Sequence, residues 1–140
     1  MELVCPHCGA LNRVPAERLG DQPKCGKCAG QVLPASPIEL TGANFGRFLS
    51  RDGLPLLVDF WAPWCGPCKQ FASTFTRLAN RYTGRLRFIK VNTEVEQALA
   101  AQHAIRSIPT LALFREGREL DRVSGALSEP QLTSWLAGKV

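Results

Sequence analysis

Val58-Asp59-Phe60-Trp61-Ala62-Pro63-Trp64-Cys65-Gly66-Pro67-Cys68-Lys69 carries two kinds of pattern in direct succession. Its front half continues Pro55-Leu56-Leu57, a run of strand length that is apolar except for Asp59. Such a run is the mark of a central strand buried on both faces. Its back half opens a helix: over residues 66–82, Phe71, Ala72, Phe75, Leu78, Ala79 and Tyr82 fall on one stripe. The two cysteines therefore stand where a strand hands over to a helix N-terminus. Unsatisfied N–H groups and the macrodipole there stabilise an anion, which predicts a lowered proton affinity for Cys65. The thiolate is the attacking species in disulfide exchange, so Cys65 is expected to be the exposed nucleophile. Cys68, one turn further in, is placed to attack the mixed disulfide and release the product. Pro67 stiffens the short ring that oxidation closes.

Working outward, Leu86 to Val91 reads as a strand and Val95 to Gln102 as a short helix. Thr110 to Phe114 and Glu119 to Val123 read as strands of a hairpin across Glu116-Gly117. Ser128, with Gln131 three residues later, predicts a capping box on a last helix that buries Leu132, Trp135 and Leu136. Upstream, Thr41 to Leu49 places Phe45, Phe48 and Leu49 at helical spacing, with Thr41 as N-cap, after a short strand near Ile38. The order predicts an α/β protein, a mixed central sheet flanked by helices. With 45% hydrophobic and 21% charged residues, the 140-residue chain is not a disordered one. Its apolar runs are too short to cross a bilayer, so no membrane association is expected. Met1-Glu2-Leu3-Val4-Cys5 lacks the cationic start and apolar stretch of a secretion signal, and a cytoplasmic location is expected.

Composition changes near residue 35. Residues 1–36 contain no aromatic residue and hold four of the six cysteines. A segment so poor in core-forming side chains needs a staple. Cys5-Pro6-His7-Cys8 and Cys25-Gly26-Lys27-Cys28 supply one, as C-x2-C-x16-C-x2-C. Two tight turns, each turning two sulfurs toward one ion, complete a tetrahedron with Zn–S distances of about 2.3 Å. Gly9 and Gly26 suit the turns, and His7 is left outside a shell that four sulfurs already fill. Four protein ligands leave no open position, so the expected cofactor is one structural Zn2+ and no organic group. The six cysteines also suit a disulfide scaffold by count, but the chain is long enough to build its own core.

The formal charge of +5 divides unevenly. Residues 1–36 carry +1, which four thiolates and one zinc ion turn to −1, and the remainder carries +4. Without aromatic rings for base stacking, the first segment is not a nucleic-acid module. The boundaries read as a zinc-ribbon-like module over 1–33, a linker over 34–37 with prolines at both ends, and a catalytic domain over 38–140. The second unit holds every aromatic residue and is expected to fold and work without the first.

Three segments resemble the thioredoxin family in order. Val58 to Lys69 looks like its active-site segment, Ser107-Ile108-Pro109-Thr110-Leu111 like its cis-proline loop, and Val123-Ser124-Gly125-Ala126 like the glycine-bearing loop beside it. With the two N-terminal cysteine pairs, the chain is similar to the zinc-bearing bacterial thioredoxin 2 type. The resemblance implies a thioredoxin fold and a protein-disulfide reductase working by dithiol–disulfide exchange at Cys65 and Cys68. It implies that Asp59 is a buried carboxylate that helps deprotonate Cys68, with a raised pKa as desolvation requires. It implies a cis Pro109, with Ile108 giving backbone hydrogen bonds to an extended substrate segment. Trp64, Gly66, Pro67, Ile108, Gly125 and Ala126 form the contact surface in that reading, and Trp61 packs beneath it. Implied partners are disulfide-containing proteins and a thioredoxin reductase as electron donor, and the chain is expected to be a monomer. Ser73 stands where many relatives have a helix-kinking proline, and Pro63 where acidic residues are common.

Two other readings compete. In one, the four-cysteine site is a zinc-dependent redox sensor or chaperone-like binding module that oxidises, releases its ion and changes partner binding. In the other, the pair 65/68 is an oxidant or isomerase; Gly66-Pro67 between the cysteines speaks for the reductase, since those relatives usually carry histidine there.

Overall fold

The computed structural model describes all residues, 1–140. The N-terminal segment opens with a small antiparallel ribbon of β1 (Glu2–Val4) and β2 (Leu11–Arg13) and one 3-10 turn, Ala16–Arg18. Residues 34–37 are irregular, and the main sheet begins directly after them. Its elements are β3 (Ile38–Glu39), α1 (Phe45–Arg51), β4 (Leu56–Trp61), α2 (Gly66–Arg81), β5 (Arg87–Asn92), α3 (Gln97–Gln102), β6 (Thr110–Arg115), β7 (Arg118–Ser124) and α4 (Glu129–Leu136). The sheet order is β3-β5-β4-β6-β7. The first three strands run parallel, while β6 and β7 join antiparallel. This is the mixed sheet that the alternation predicts.

Period-two alternation sorts β4 onto two cores. Leu56, Val58 and Phe60 face α1 and α3, among Phe45, Phe48, Ile89, Val91 and Phe114. Leu57 faces α2 and α4, among Phe71, Phe75, Leu78, Leu111 and Leu132. Asp59 and Trp61 share Leu57's parity, so both point to the face that α2 covers. That parity puts a carboxylate beneath the helix that starts with the cysteines.

Boundaries moved in a few places. Thr41 does not cap a helix: its carbonyl and hydroxyl close a turn over residues 41–45, and α1 starts after Asn44. The 116–117 turn holds Glu116 at φ 51° and Gly117 at φ 79°, the left-handed pair that a two-residue hairpin demands. Ser128 and Gln131 form the capping box. Trp135 is only half-buried, because Leu132 and Leu136 fill the core side of a short helix and leave its ring to Lys139, whose Nζ lies 4.9 Å from the ring centre.

Packing crosses the linker. Leu3, Cys5, Val14, Cys25, Val32 and Leu33 form one cluster with Leu54, which comes from the loop before β4. Arg87, at the start of β5, is 3% exposed. Its guanidinium donates to Val32 O at 2.6 Å and Val4 O at 2.8 Å and pairs with Asp52 at 2.8 Å. Asp52 in turn accepts from Val4 N and Leu54 N. Gly53 donates to Glu2 O, and a Cβ there would stand 2.9 Å from that oxygen. The covalent boundary near residue 35 is thus not a boundary of packing.

Candidate redox site and metal centre

Cys65 is the N-cap of α2, and its sulfur accepts the Cys68 backbone N–H at 3.2 Å. Pro67 lies within the first turn, where its missing N–H costs nothing. The two cysteines are disulfide-bonded, with their Cα atoms 5.2 Å apart. The expected contrast in exposure is absent: Cys65 is 5% exposed and Cys68 3%. Ile108 and Trp61 pack against the pair together with Ala62 and cover both sulfurs.

The Ile108–Pro109 peptide bond is cis. Cys65 Sγ lies 3.8 Å from Ile108 O, and Pro109 O accepts the Gly125 N–H at 2.9 Å. Ser107 and Ser124 hydroxyls meet at 3.2 Å. These contacts bring Cys65, Cys68, Ile108, Pro109 and Gly125 together. Gly125 has φ 105° with open space at its Cβ direction, so its backbone, not crowding, calls for glycine. Trp64 is 67% exposed, an isolated aromatic ring beside the disulfide. Gly66, Pro67 and Ala126 are exposed on the same turns.

Asp59 is 1% exposed, and neither carboxylate oxygen has a hydrogen-bond partner in the protein. Desolvation pushes its carboxyl up to about 7; Lys90 opposes the rise and Glu39 adds to it. Lys90 pairs with Asp59 in the β4–β5 register, and its Nζ lies 4.3 Å from the Trp61 ring centre. Lys90 is legible in the sequence as a site of the same kind. It is one of two charges, with Arg87, inside the otherwise apolar Leu86–Val91 strand, and a charge in such a strand is as notable there as Asp59 is in β4.

The N-terminal cysteines converge by a repeated design. Cys5 N donates to Ala10 O and Gly9 N to Cys5 O; Cys25 N donates to Gly30 O and Ala29 N to Cys25 O. Gly9 (φ 77°) and Ala29 (φ 65°) hold the matching left-handed positions. Gly26 therefore does not serve the turn as Gly9 does; its N–H instead meets Asn12 Oδ1 at 2.9 Å. All four sulfurs lie within 4.8 Å of one another, and the Cys5–Cys28 and Cys8–Cys25 pairs are 3.6 Å apart. A tetrahedron with metal–sulfur bonds of about 2.3 Å has edges of about 3.8 Å, so the donors fit a metal ion. Sulfur acceptors are served as well: His7 N to Cys5, Lys27 N and Asn12 Nδ2 to Cys25, and Gly30 N to Cys28. Asn12, with backbone N–H groups of residues 27 and 28, lowers the Cys25 thiol to about 6. His7 is exposed and stays outside this set.

No helix is long and apolar enough to cross a membrane. The family model described as Thioredoxin matches residues 36–138, and the one described as Thioredoxin 2, N-terminal, a zinc ribbon, matches residues 4–30. Thioredoxin C-3 of Corynebacterium nephridii is 46% identical over 136 residues, covering 97% of this chain and 93% of that relative. Thioredoxin 1 of Synechococcus elongatus is 41% identical over 97 residues, covering 69% of this chain and 91% of its own. Thioredoxin of Griffithsia pacifica is 49% identical over 95 residues, 68% of this chain and 85% of its own. A disulfide on a helix N-cap and a four-cysteine metal site, in one chain with these matches, lead to one assignment: the chain belongs to the thioredoxin family of thiol–disulfide oxidoreductases.

Proposed function

We propose that the chain reduces disulfides of protein substrates, with Cys65 as nucleophile and Cys68 as resolving thiol. The Cys65 thiolate attacks one sulfur of a substrate disulfide; a mixed disulfide forms and the other substrate sulfur leaves as a thiolate. Cys68 gives its proton to the Asp59 carboxylate and attacks Cys65 sulfur. The second substrate sulfur then leaves, and two electrons have passed from the dithiol to the substrate. The observation that carries this reading is the Cys68 N–H donated to Cys65 sulfur at the helix N-terminus. Trp64, Gly66, Pro67, Ile108, Pro109, Gly125 and Ala126 form the surface that receives an extended substrate segment. A thioredoxin reductase returns the electrons, and the protein acts as a cytoplasmic monomer. Protein-disulfide reduction coupled to NADPH and such a reductase tests the cycle; no turnover with any protein disulfide would overturn it.

Asp59→Asn is expected to slow turnover roughly a hundredfold, the low end for loss of a proton acceptor. Asp59 accepts a proton only above its raised pKa of about 7, so the wild-type rate should climb through that range. The variant should lose that limb; a pH–rate profile that keeps it would remove Asp59 from the reaction.

We further assign one structural Zn2+ to Cys5, Cys8, Cys25 and Cys28 in a module over 1–33, joined by 34–37 to the domain over 38–140. When bound, the ion supplies folding free energy to a segment with little core of its own. Metal analysis of the Cys65→Ser/Cys68→Ser protein should return one zinc per chain, as in wild type. Loss of metal in that variant would show that the pairs are shared differently.

A further inference from the structure

Glu39, in the edge strand β3, pairs with Lys90 in β5, and Lys90 pairs with Asp59 in β4. Paired residues of adjacent strands share a face, so the three side chains form one transverse row. Asp59 is buried without a hydrogen-bond partner, Glu39 is exposed at the sheet edge, and the half-buried Lys90 stands between them. One cation thus serves two carboxylates, one inside the protein and one at its surface.

We propose that Glu39 is a positioning residue for disulfide exchange: through the Lys90 ammonium it shares with Asp59, it sets the pH range over which Asp59 takes the Cys68 proton. This rests on the role assigned to Asp59 above. The row makes the sign unambiguous. A negative charge at Glu39 disfavours a second one at Asp59 and draws on the attraction of the only cation in the row. Glu39 therefore holds Asp59 in its protonated form to higher pH, in the same direction as desolvation. The charged groups acting on Asp59 are Lys90 from β5 and Glu39 from β3; Cys65 and Cys68 stand at the start of α2, which covers this face of the sheet, and β6 contributes only Leu111 at the paired position. Glu39 itself faces Lys90 and, from the segment leading into α3, Glu96. Partial desolvation raises the Glu39 carboxyl while Lys90 lowers it.

The test is a carbon-13 titration of the Asp59 carboxyl in the oxidised full-length protein, beside the pH–rate profile of the reduced protein. Two strand spacings put the charges about 10 Å apart, and partial screening leaves roughly half a pH unit of influence. Glu39→Gln, nearly isosteric and exposed, should lower the Asp59 midpoint by that amount and move the rising limb of the rate profile to lower pH equally. Glu39→Asp, which keeps the charge, should restore both toward wild type. In an Asp59→Asn background, Glu39→Gln should leave the rate profile unchanged. An unmoved Asp59 midpoint in Glu39→Gln, or equal shifts in the Gln and Asp variants, would overturn the proposal. A midpoint that moves while the rate profile does not would uphold the electrostatic link and overturn the part of Asp59 in the reaction.

Discussion

Cys65→Ser is expected to abolish disulfide reduction, while Cys68→Ser should leave a protein that attacks once and stays attached to its substrate. The asymmetry follows from the helix cap. Cys65 sulfur is the acceptor at the N-terminus of α2, where the Cys68 N–H and the aligned peptide dipoles favour a thiolate. A serine hydroxyl there is a poor nucleophile with no general base beside it, so no mixed disulfide forms and the rate falls to background. In Cys68→Ser the nucleophile and its cap remain, because the cap uses the backbone N–H and not the Cys68 side chain. What is missing is the second attack. Incubation with a disulfide substrate, followed by non-reducing electrophoresis, should show adducts with Cys68→Ser and none with Cys65→Ser. Adducts in the reverse pattern would exchange the two roles.

The second large effect concerns stability. Arg87→Met in the full chain is expected to cost about 3–5 kcal/mol, the range for removing one partner of a buried ion pair. The side chains of Arg87 and Asp52 are 2% and 0% exposed, so solvent cannot stand in for the lost guanidinium. Val4 O and Val32 O lose their short donors in the same step. A methionine keeps most of the aliphatic volume, which limits the cavity term and isolates the electrostatic one. Urea midpoints at unchanged m-value measure the loss. The double variant Arg87→Met/Asp52→Leu should recover part of it by removing the stranded carboxylate. A loss under about 1 kcal/mol, the worth of a surface pair, would mean that water reaches the pair.

Much of this was legible in the sequence, and what escaped has a common cause. The β4 strand, the cysteine-bearing helix, the hairpin at 116–117 and the capping box each depend on neighbours close along the chain. Side-chain period, turn residues and cap residues report on such neighbours directly. The four-cysteine site was readable for a related reason, since each half is a local turn and the ion demands the other half. Arg87 was not readable. It looks like an ordinary arginine at the start of an apolar strand, and its partners at 4, 32 and 52 are distant in sequence. Nor does the change in composition near residue 35 reveal that Leu54 and Arg87 pack against the first segment. Ala29 is a smaller case: glycine is the usual residue at φ above zero, so sequence points to Gly26 for the second turn, while alanine holds the left-handed position.

Arg87 also imposes an order in time. Val4 and Val32 precede it by 83 and 55 residues, so both leave the ribosome long before the side chain that holds their carbonyls. At about 5–20 residues per second, the interval for Val4 lasts from several seconds to a quarter of a minute. Until residues 52–54 follow, the cysteine turns have only their own ribbon, and until Arg87 follows Asp52 lacks its guanidinium partner. The part of the protein made first is among the last to be secured.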